Sequence, residues 1–305
     1  MSTSLVTIPG PTAFKGRTVV MSGGSRGIGL AIATELGRRG ANIVMLAKTD
    51  SPDPRLEGTI HTAVDTVRAT GANAIGVIGD LRNDSDIARL VRTAVEEFGG
   101  IDICVNNASA LAPTATADLS MKKYDLIQQV NARGTFALTQ ACLPHLRRSD
   151  HARVVTLSPP INLNPDWLGK FPGYMVSKYG MTLATLGFAA EWRDDGIACN
   201  CLWPETTIAT AAVQNLLGGD ETVAHSRSPQ IMGDAAAFLV GASADVTGQC
   251  FIDADLVRDA GVTDLRPYGG VEPLEYDFFL DPPAAKGQRD APEITRWSCS
   301  STTTA

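Results

Sequence analysis

The run Ser22-Gly23-Gly24-Ser25-Arg26-Gly27-Ile28-Gly29 constrains this chain more than any other, because it directly follows an apolar β-branched stretch, RTVVMS, and opens an amphipathic one. Gly23 permits a tight turn there. Gly27 and Gly29 let backbone and helix approach a pyrophosphate held by N–H groups at the helix N-terminus. In isolation such a turn is as good a structural loop as a ligand site. Set between a strand and a helix, it reads as a nucleotide cradle to which Gly24, Ser25, Arg26 and Ile28 also belong.

The alternation continues along the chain. A helix from Gly27 to about Arg39 precedes NIVMLA, a helix near His61 to Thr70 precedes NAIGVIG, and Ile87, Leu90, Val91, Ala94, Val95 and Phe98 recur at helical spacing before IDICVNNA. A long helix, RVVTLS, a helix through Tyr174 to Trp192, IACNCLW and a last strand around QCFID follow. Near-continuous apolar strands separated by helices predict an α/β fold, a doubly wound parallel sheet of Rossmann type with helices on both faces. One domain over residues 15–281 absorbs this pattern, after an N-terminal extension at 1–14. Residues 204–231 interrupt the alternation and read as a small helical substrate lid, whose Ile208, Ala211, Ala212, Val213, Leu216 and Leu217 suit an apolar pocket or plain helix packing. The stretch from 282 to 305, rich in Pro, Ala, Ser and Thr, reads as a flexible tail.

Composition narrows the function classes. Hydrophobic residues make up 44% and charged residues 19%, ordinary for a packed enzyme-like domain. A formal charge of −7 with no basic cluster argues against nucleic acid as a partner. Five of the six cysteines lie in or beside apolar runs, as reduced thiols do, and the lone C-x-C of Cys199 and Cys201 lacks a second ligand pair, so no metal site is expected. The N-terminus lacks the pattern of a signal peptide, and no run reaches the roughly 18 apolar residues of a membrane span. A cytoplasmic protein is the resulting expectation.

The second strand ends Leu46-Ala47-Lys48, where NAD-specific proteins place an acid on the ribose. Without that acid, Arg26 and Lys48 are free to pair with the 2′-phosphate of NADP(H), although both also read as solvated surface cations. Asp80, at the end of the third strand, reads either as an acceptor for the adenine amino group or as a helix cap. Tyr174 and Lys178 are four residues apart on a predicted helix and therefore share a face. A cation beside a phenol favours phenolate and brings tyrosine toward a working acid/base range. Alone, the two would be an ordinary amphipathic surface pair.

Taken with the turn, with Asn106-Asn107-Ala108 and with Asn131 in VNARGTF, the pair resembles the short-chain dehydrogenase/reductase family over roughly residues 15 to 255. The resemblance implies that Tyr174 is the acid/base, that Lys178 lowers its pKa and grips the nicotinamide ribose, that Asn131 holds a relay water, and that Asn107 supports the cofactor. It also implies a homodimer or homotetramer. By residue type alone, Asn131 caps or bends its helix and Asn107 ties strands together.

The pattern breaks in two places. The family's catalytic serine aligns with Pro159 in Leu157-Ser158-Pro159-Pro160, leaving Ser158 as the candidate hydroxyl if the prolines re-aim it; and Leu202-Trp203-Pro204-Glu205 replaces the family's Pro-Gly. Together with Lys48-Thr49, SPPINLNPDW, WPETTIATAA and DFFLD, these features resemble the dehydrogenase part of the hydroxysteroid dehydrogenase-like protein 2 branch. Larger members of that branch carry a sterol-carrier domain, for which the chain ends too soon after Asp281. The expected activity is NADP(H)-dependent interconversion of an alcohol and a carbonyl on an apolar, lipid-like or terpenoid substrate. The alternatives are a nucleotide-binding protein of low turnover and a biosynthetic reductase on the same scaffold.

Overall fold

The computed structural model describes residues 4–52 and 58–281, so the expected tail from 282 onward lies outside the described residues. Seven parallel strands form one sheet in the order β3-β2-β1-β4-β5-β6-β7. They are β1 (Thr18–Ser22), β2 (Asn42–Ala47), β3 (Ala74–Ile78), β4 (Ile103–Asn106), β5 (Arg153–Leu157), β6 (Ala198–Trp203) and β7 (Cys250–Ile252). The chain reverses direction across the sheet between β1 and β4. At such a switch point the loops above the carboxyl ends part and leave a crevice.

Between the strands run α1 (Gly27–Arg38), α2 (Ile60–Arg68), α3 (Asp84–Phe98), α4 (Met121–Ile127), α5 (Gly134–Leu146), α6 (Pro165–Lys170) and α7 (Pro172–Glu191). After β6 come the short α8 (Ala211–Val213) and α9 (Gly219–Ala224), then α10 (Gln230–Val240), with α11 (Asp253–Asp259) after β7. Strand side chains alternate between two cores. Val19 and Met21 of β1 pack with α1, α2, α10 and α11 on one face, while Val20 packs with α3, α5 and α7 on the other. Both faces being covered, β1 and β6 are buried throughout, which is why they read as unbroken apolar runs.

Three details that the sequence reading did not specify accompany this architecture. The long helix before β5 is interrupted by a π-helical turn at Gln128–Arg133, which contains Asn131. The lid is helical as expected, but in short consecutive pieces, α8, a π-helical turn at Gln214–Gly218 and α9; Ile208 and Val213 are buried, while Leu216 is exposed. The N-terminal extension is docked, with Val6 and Phe14 buried and the Ser4 hydroxyl and the Leu5 and Val6 N–H groups bonded to Asp259. The five described cysteines are free, and among the described residues no helix is long and apolar enough to cross a membrane.

Candidate active site

A cleft of about 1360 Å³ opens above the carboxyl ends of the strands, walled by the glycine turn, by Lys48 and Asp80, by Asn107 and Ser109, and by the lid at Thr210. The turn is built for close approach. Gly23 has φ +74°, and a Cβ there would meet the Ala108 backbone at 2.8 Å. A Cβ on Gly29 would meet the Gly23 carbonyl oxygen at 2.2 Å and Asn107 Nδ2 at 2.5 Å. Asn107 donates from Nδ2 to the Gly23 carbonyl at 2.8 Å, and the Ala108 N–H donates to Ser22 Oγ at 3.1 Å. Asn107 thus ties the end of β4 to the turn and keeps its shape. No side chain caps the N-terminus of α1, so its N–H groups face the cleft without a side-chain acceptor.

At the far end, the extended backbone of Arg26 directs its guanidinium toward the β2 side. Arg26 Nη2 donates to Thr49 Oγ1 at 2.8 Å and to the Gly58 carbonyl at 2.9 Å, while Nη1 is buried with no partner among the described residues. A buried guanidinium nitrogen without an acceptor is costly, and an anionic oxygen is the ligand that best satisfies it. Lys48 Nζ lies 3.1 Å from Asp80 Oδ2, and Arg82 grips the same carboxylate with Nε and Nη2. Arg82 holds the Asp80 carboxyl far below the ordinary carboxylate range. Sequence reading missed Arg82, although an Arg two residues after a strand-end Asp is a signal for this fork.

Tyr174 and Lys178 stand on one face of α7, both almost completely buried. Lys178 Nζ donates to the Leu157 carbonyl at 2.5 Å and sits 4.9 Å from the centre of the Trp203 ring. Burial pulls the ammonium down to about 7, against the Asp277 carboxyl and the Cys201 thiol, which favour the charged form. Burial raises the Tyr174 phenol well above its ordinary value, Asp277 adds to this, and the nearby Ser109 hydroxyl offsets a part. The Asp277 carboxyl is itself pushed up to about 7, by burial and by Asp253, with Lys178 opposing.

Asn131, carried on the π-helical turn, joins two walls of the site. Its Oδ1 accepts from the Ala110 N–H at 2.7 Å, and its Nδ2 donates to the Ala110 carbonyl at 3.1 Å and to Ser177 Oγ at 2.9 Å. Both amide hydrogens are engaged, which leaves one lone pair on Oδ1 for a water. Ser158 is fully buried next to the Cys201 thiol, and its Oγ has no hydrogen bond among the described residues. The loop beyond it is clamped to α7 through main-chain oxygen, since Thr182 Oγ1 donates to the Pro159 carbonyl at 2.7 Å. The hydroxyl facing the phenol is instead that of Ser109, which also lines the cleft; no sequence signal set it apart.

Residues 17–219 match the family described as short chain dehydrogenase. Hydroxysteroid dehydrogenase-like protein 2 of Xenopus laevis is 44% identical over 276 residues, covering 90% of this chain and 66% of that protein. The Homo sapiens protein of that name is 42% identical with the same coverage, so the chain spans just under two thirds of these relatives. A short chain dehydrogenase from Mycobacterium thermoresistibile superposes with a TM-score of 0.84 at 47% identity, over 90% of this chain and 98% of that one. Carveol dehydrogenase from Mycobacterium avium, solved in complex with NAD, shares the fold at 21% identity with a TM-score of 0.67, over 78% of this chain and 96% of that one. A family match across most of the sheet, and relatives this similar over nine tenths of the chain, establish that the chain belongs to the short-chain dehydrogenase/reductase family, oxidoreductases that work with a nicotinamide cofactor.

Proposed function

We propose that the chain interconverts an alcohol and a carbonyl on an apolar substrate, using NADP(H). The observation that carries the reading is the pairing of Tyr174 with Lys178 on α7, buried just beyond Ser109 at the inner end of a cleft whose outer end holds an Arg26 nitrogen unpartnered among the described residues. Gly23, Gly24, Ser25, Gly27, Ile28 and Gly29 would hold the pyrophosphate, Arg26 and Lys48 the 2′-phosphate, Asp80 and Asn107 the adenosine side, and Lys178 the nicotinamide ribose. When bound, NADPH supplies the hydride. Tyr174 supplies the proton: with its phenol held protonated, it donates to the carbonyl oxygen as the carbon is reduced, and it takes the proton back in the reverse direction. Lys178, poised near neutrality, stabilises the phenolate left behind, and Asn131 fixes Ala110 and Ser177 around the pair.

Two hydroxyls compete to polarise the substrate oxygen. Ser158 has a free Oγ but lies wholly in the core, whereas Ser109 faces Tyr174 from the cleft wall. The apolar class of substrate is supported by the aromatic cluster around Tyr174, which includes Tyr179, Trp203 and Phe279. Exposed Phe136, Val176 and Leu183 on α5 and α7 support association of two or four copies through these helices, and the free described cysteines fit a reducing compartment such as the cytoplasm.

The test is NADPH fluorescence and turnover with a panel of aldehydes, ketones and alcohols, for the wild type and Tyr174→Phe. Turnover that disappears in Tyr174→Phe while NADPH still binds is the expected result. Binding with no Tyr174-dependent turnover on any substrate would favour a nucleotide-binding protein of low activity, the reading that Pro159 in the serine position supports.

A further inference from the structure

The phenol of Tyr174 is only 3% exposed, and the walls of the cofactor cleft stop at Ser109 and Ala110, short of it. What covers it comes from far along the chain. Residues 275–281 cross the carboxyl edge of the sheet as a strap, entering through bonds from the Thr207 N–H to the Glu275 carbonyl and from the Asp277 N–H to the Glu205 carbonyl. Phe279 then adopts φ +68°, the one non-glycine residue at positive φ among those described. For a bulky L-residue that is an unfavourable backbone state, kept only where surrounding contacts enforce it.

Those contacts are specific. The Phe279 ring is fully buried, stacked on Tyr174 at 6.2 Å with 29° between planes, and lies 5.4 Å from Tyr179 and 6.3 Å from Trp203. Trp203 Nε1 donates to the Phe278 carbonyl at 2.9 Å, and Asn162 Nδ2 donates to the Phe279 carbonyl at 3.0 Å. The strap is latched at its end by Asp281, whose carboxylate accepts from Trp167 Nε1 at 2.9 Å and from Asn162 and Asn164 at 3.1 Å. This outer latch lies at the surface, where water competes for every bond. The ring seat is dry.

We infer that Phe279 gates the substrate site: its benzyl group occupies the seat that the apolar group beside the reacting carbon must take before substrate oxygen can reach Tyr174. A substrate able to displace it carries a flat ring of comparable size next to the alcohol or carbonyl, to stack on Tyr174 between Tyr179 and Trp203. The Asp281 latch releases first and the ring seat is then exchanged, ring for ring. This rests on the Tyr174 chemistry proposed above, but the covering role of the strap can be tested without turnover.

The experiment is acetylation of Tyr174 by N-acetylimidazole in the full chain, followed by peptide mass spectrometry, for the wild type, Phe279→Ala and Asp281→Ala. Both variants are expected to accelerate modification of Tyr174, roughly tenfold for Phe279→Ala and several-fold for Asp281→Ala, because each favours the open strap. Asp281 is exposed, so its variant serves even if Phe279→Ala does not fold. Rates equal to wild type in the folded variants would overturn the strap as the cover. Where turnover is found, Phe279→Ala should raise kcat/KM for a single-ring carbonyl substrate about tenfold, because no ring has to leave the seat first. An unchanged kcat/KM overturns the gating role. Faster modification without any Tyr174-dependent turnover would instead refute the proposed function and leave the cover standing.

Discussion

Lys178 offers a test in which function and stability pull in opposite directions. Its ammonium is buried, and moving its pKa from 10.5 to about 7 corresponds to roughly 5 kcal/mol against the charged form. In Lys178→Met the aliphatic stem is largely kept and this penalty goes, while the Leu157 carbonyl loses its donor at a cost of about 1–3 kcal/mol. The variant should therefore be about 2–4 kcal/mol more stable than wild type at neutral pH, yet inactive. The sign of the pH dependence is fixed. Between about 7 and 10.5 the unfolded chain keeps the lysine proton that the folded chain has released, so the wild type gains stability as pH rises through that window. From about pH 8 to about pH 9.5 the gain attributable to Lys178 is about 2 kcal/mol, and Lys178→Met lacks it. That window lies above the Asp277 titration near 7 and below that of Tyr174. Urea unfolding of both proteins across this range measures the difference directly. Parallel stability profiles would refute the claim that burial holds Lys178 near neutrality.

Three further outcomes follow from the cleft. Arg26→Ala should weaken NADPH about 10–100-fold and NADH far less, since a charge-assisted bond contributes about 1.5–3 kcal/mol, and Lys48→Ala should do the same to a smaller degree; equal losses for both nucleotides, by fluorescence titration, would remove the 2′-phosphate role. Gly29→Ala places a methyl group 2.2 Å from the Gly23 carbonyl and against Asn107, so we expect about 2–4 kcal/mol of lost stability and at least about tenfold weaker NADPH, read by thermal melts and titration. For the oxygen donor, Ser109→Ala and Ser158→Ala should separate: the residue that polarises substrate lowers kcat about 100-fold at unchanged NADPH affinity, and the other leaves kcat within about threefold.

Local patterns made the cradle and the catalytic helix legible in the sequence. The glycine turn, the apolar strands and the four-residue spacing of Tyr174 and Lys178 each depend on neighbours within a turn or two. What the sequence did not reveal depends on distant partners. Lys48 just after β2 reaches the Asp80 carboxylate beyond β3, the π-helical turn displaces Asn131 from regular helix geometry, and Leu216 faces water in a lid whose apolar residues suited a pocket or plain helix packing. Phe279 reaches Tyr174 across more than a hundred residues of chain, and nothing in the run DFFLD announces that its second phenylalanine turns inward.

The clamp between Thr182 and the Pro159 carbonyl carries a consequence for how this site can change over generations or at the bench. Because the bond goes to backbone oxygen, it is indifferent to the side chain at 159. Lys178 likewise reads the Leu157 carbonyl, not its side chain. The scaffold therefore survives a rewritten catalytic position: a lineage can lose or regain the hydroxyl at 159 without dismantling the frame that aims Tyr174, and activity is free to drift while the fold persists.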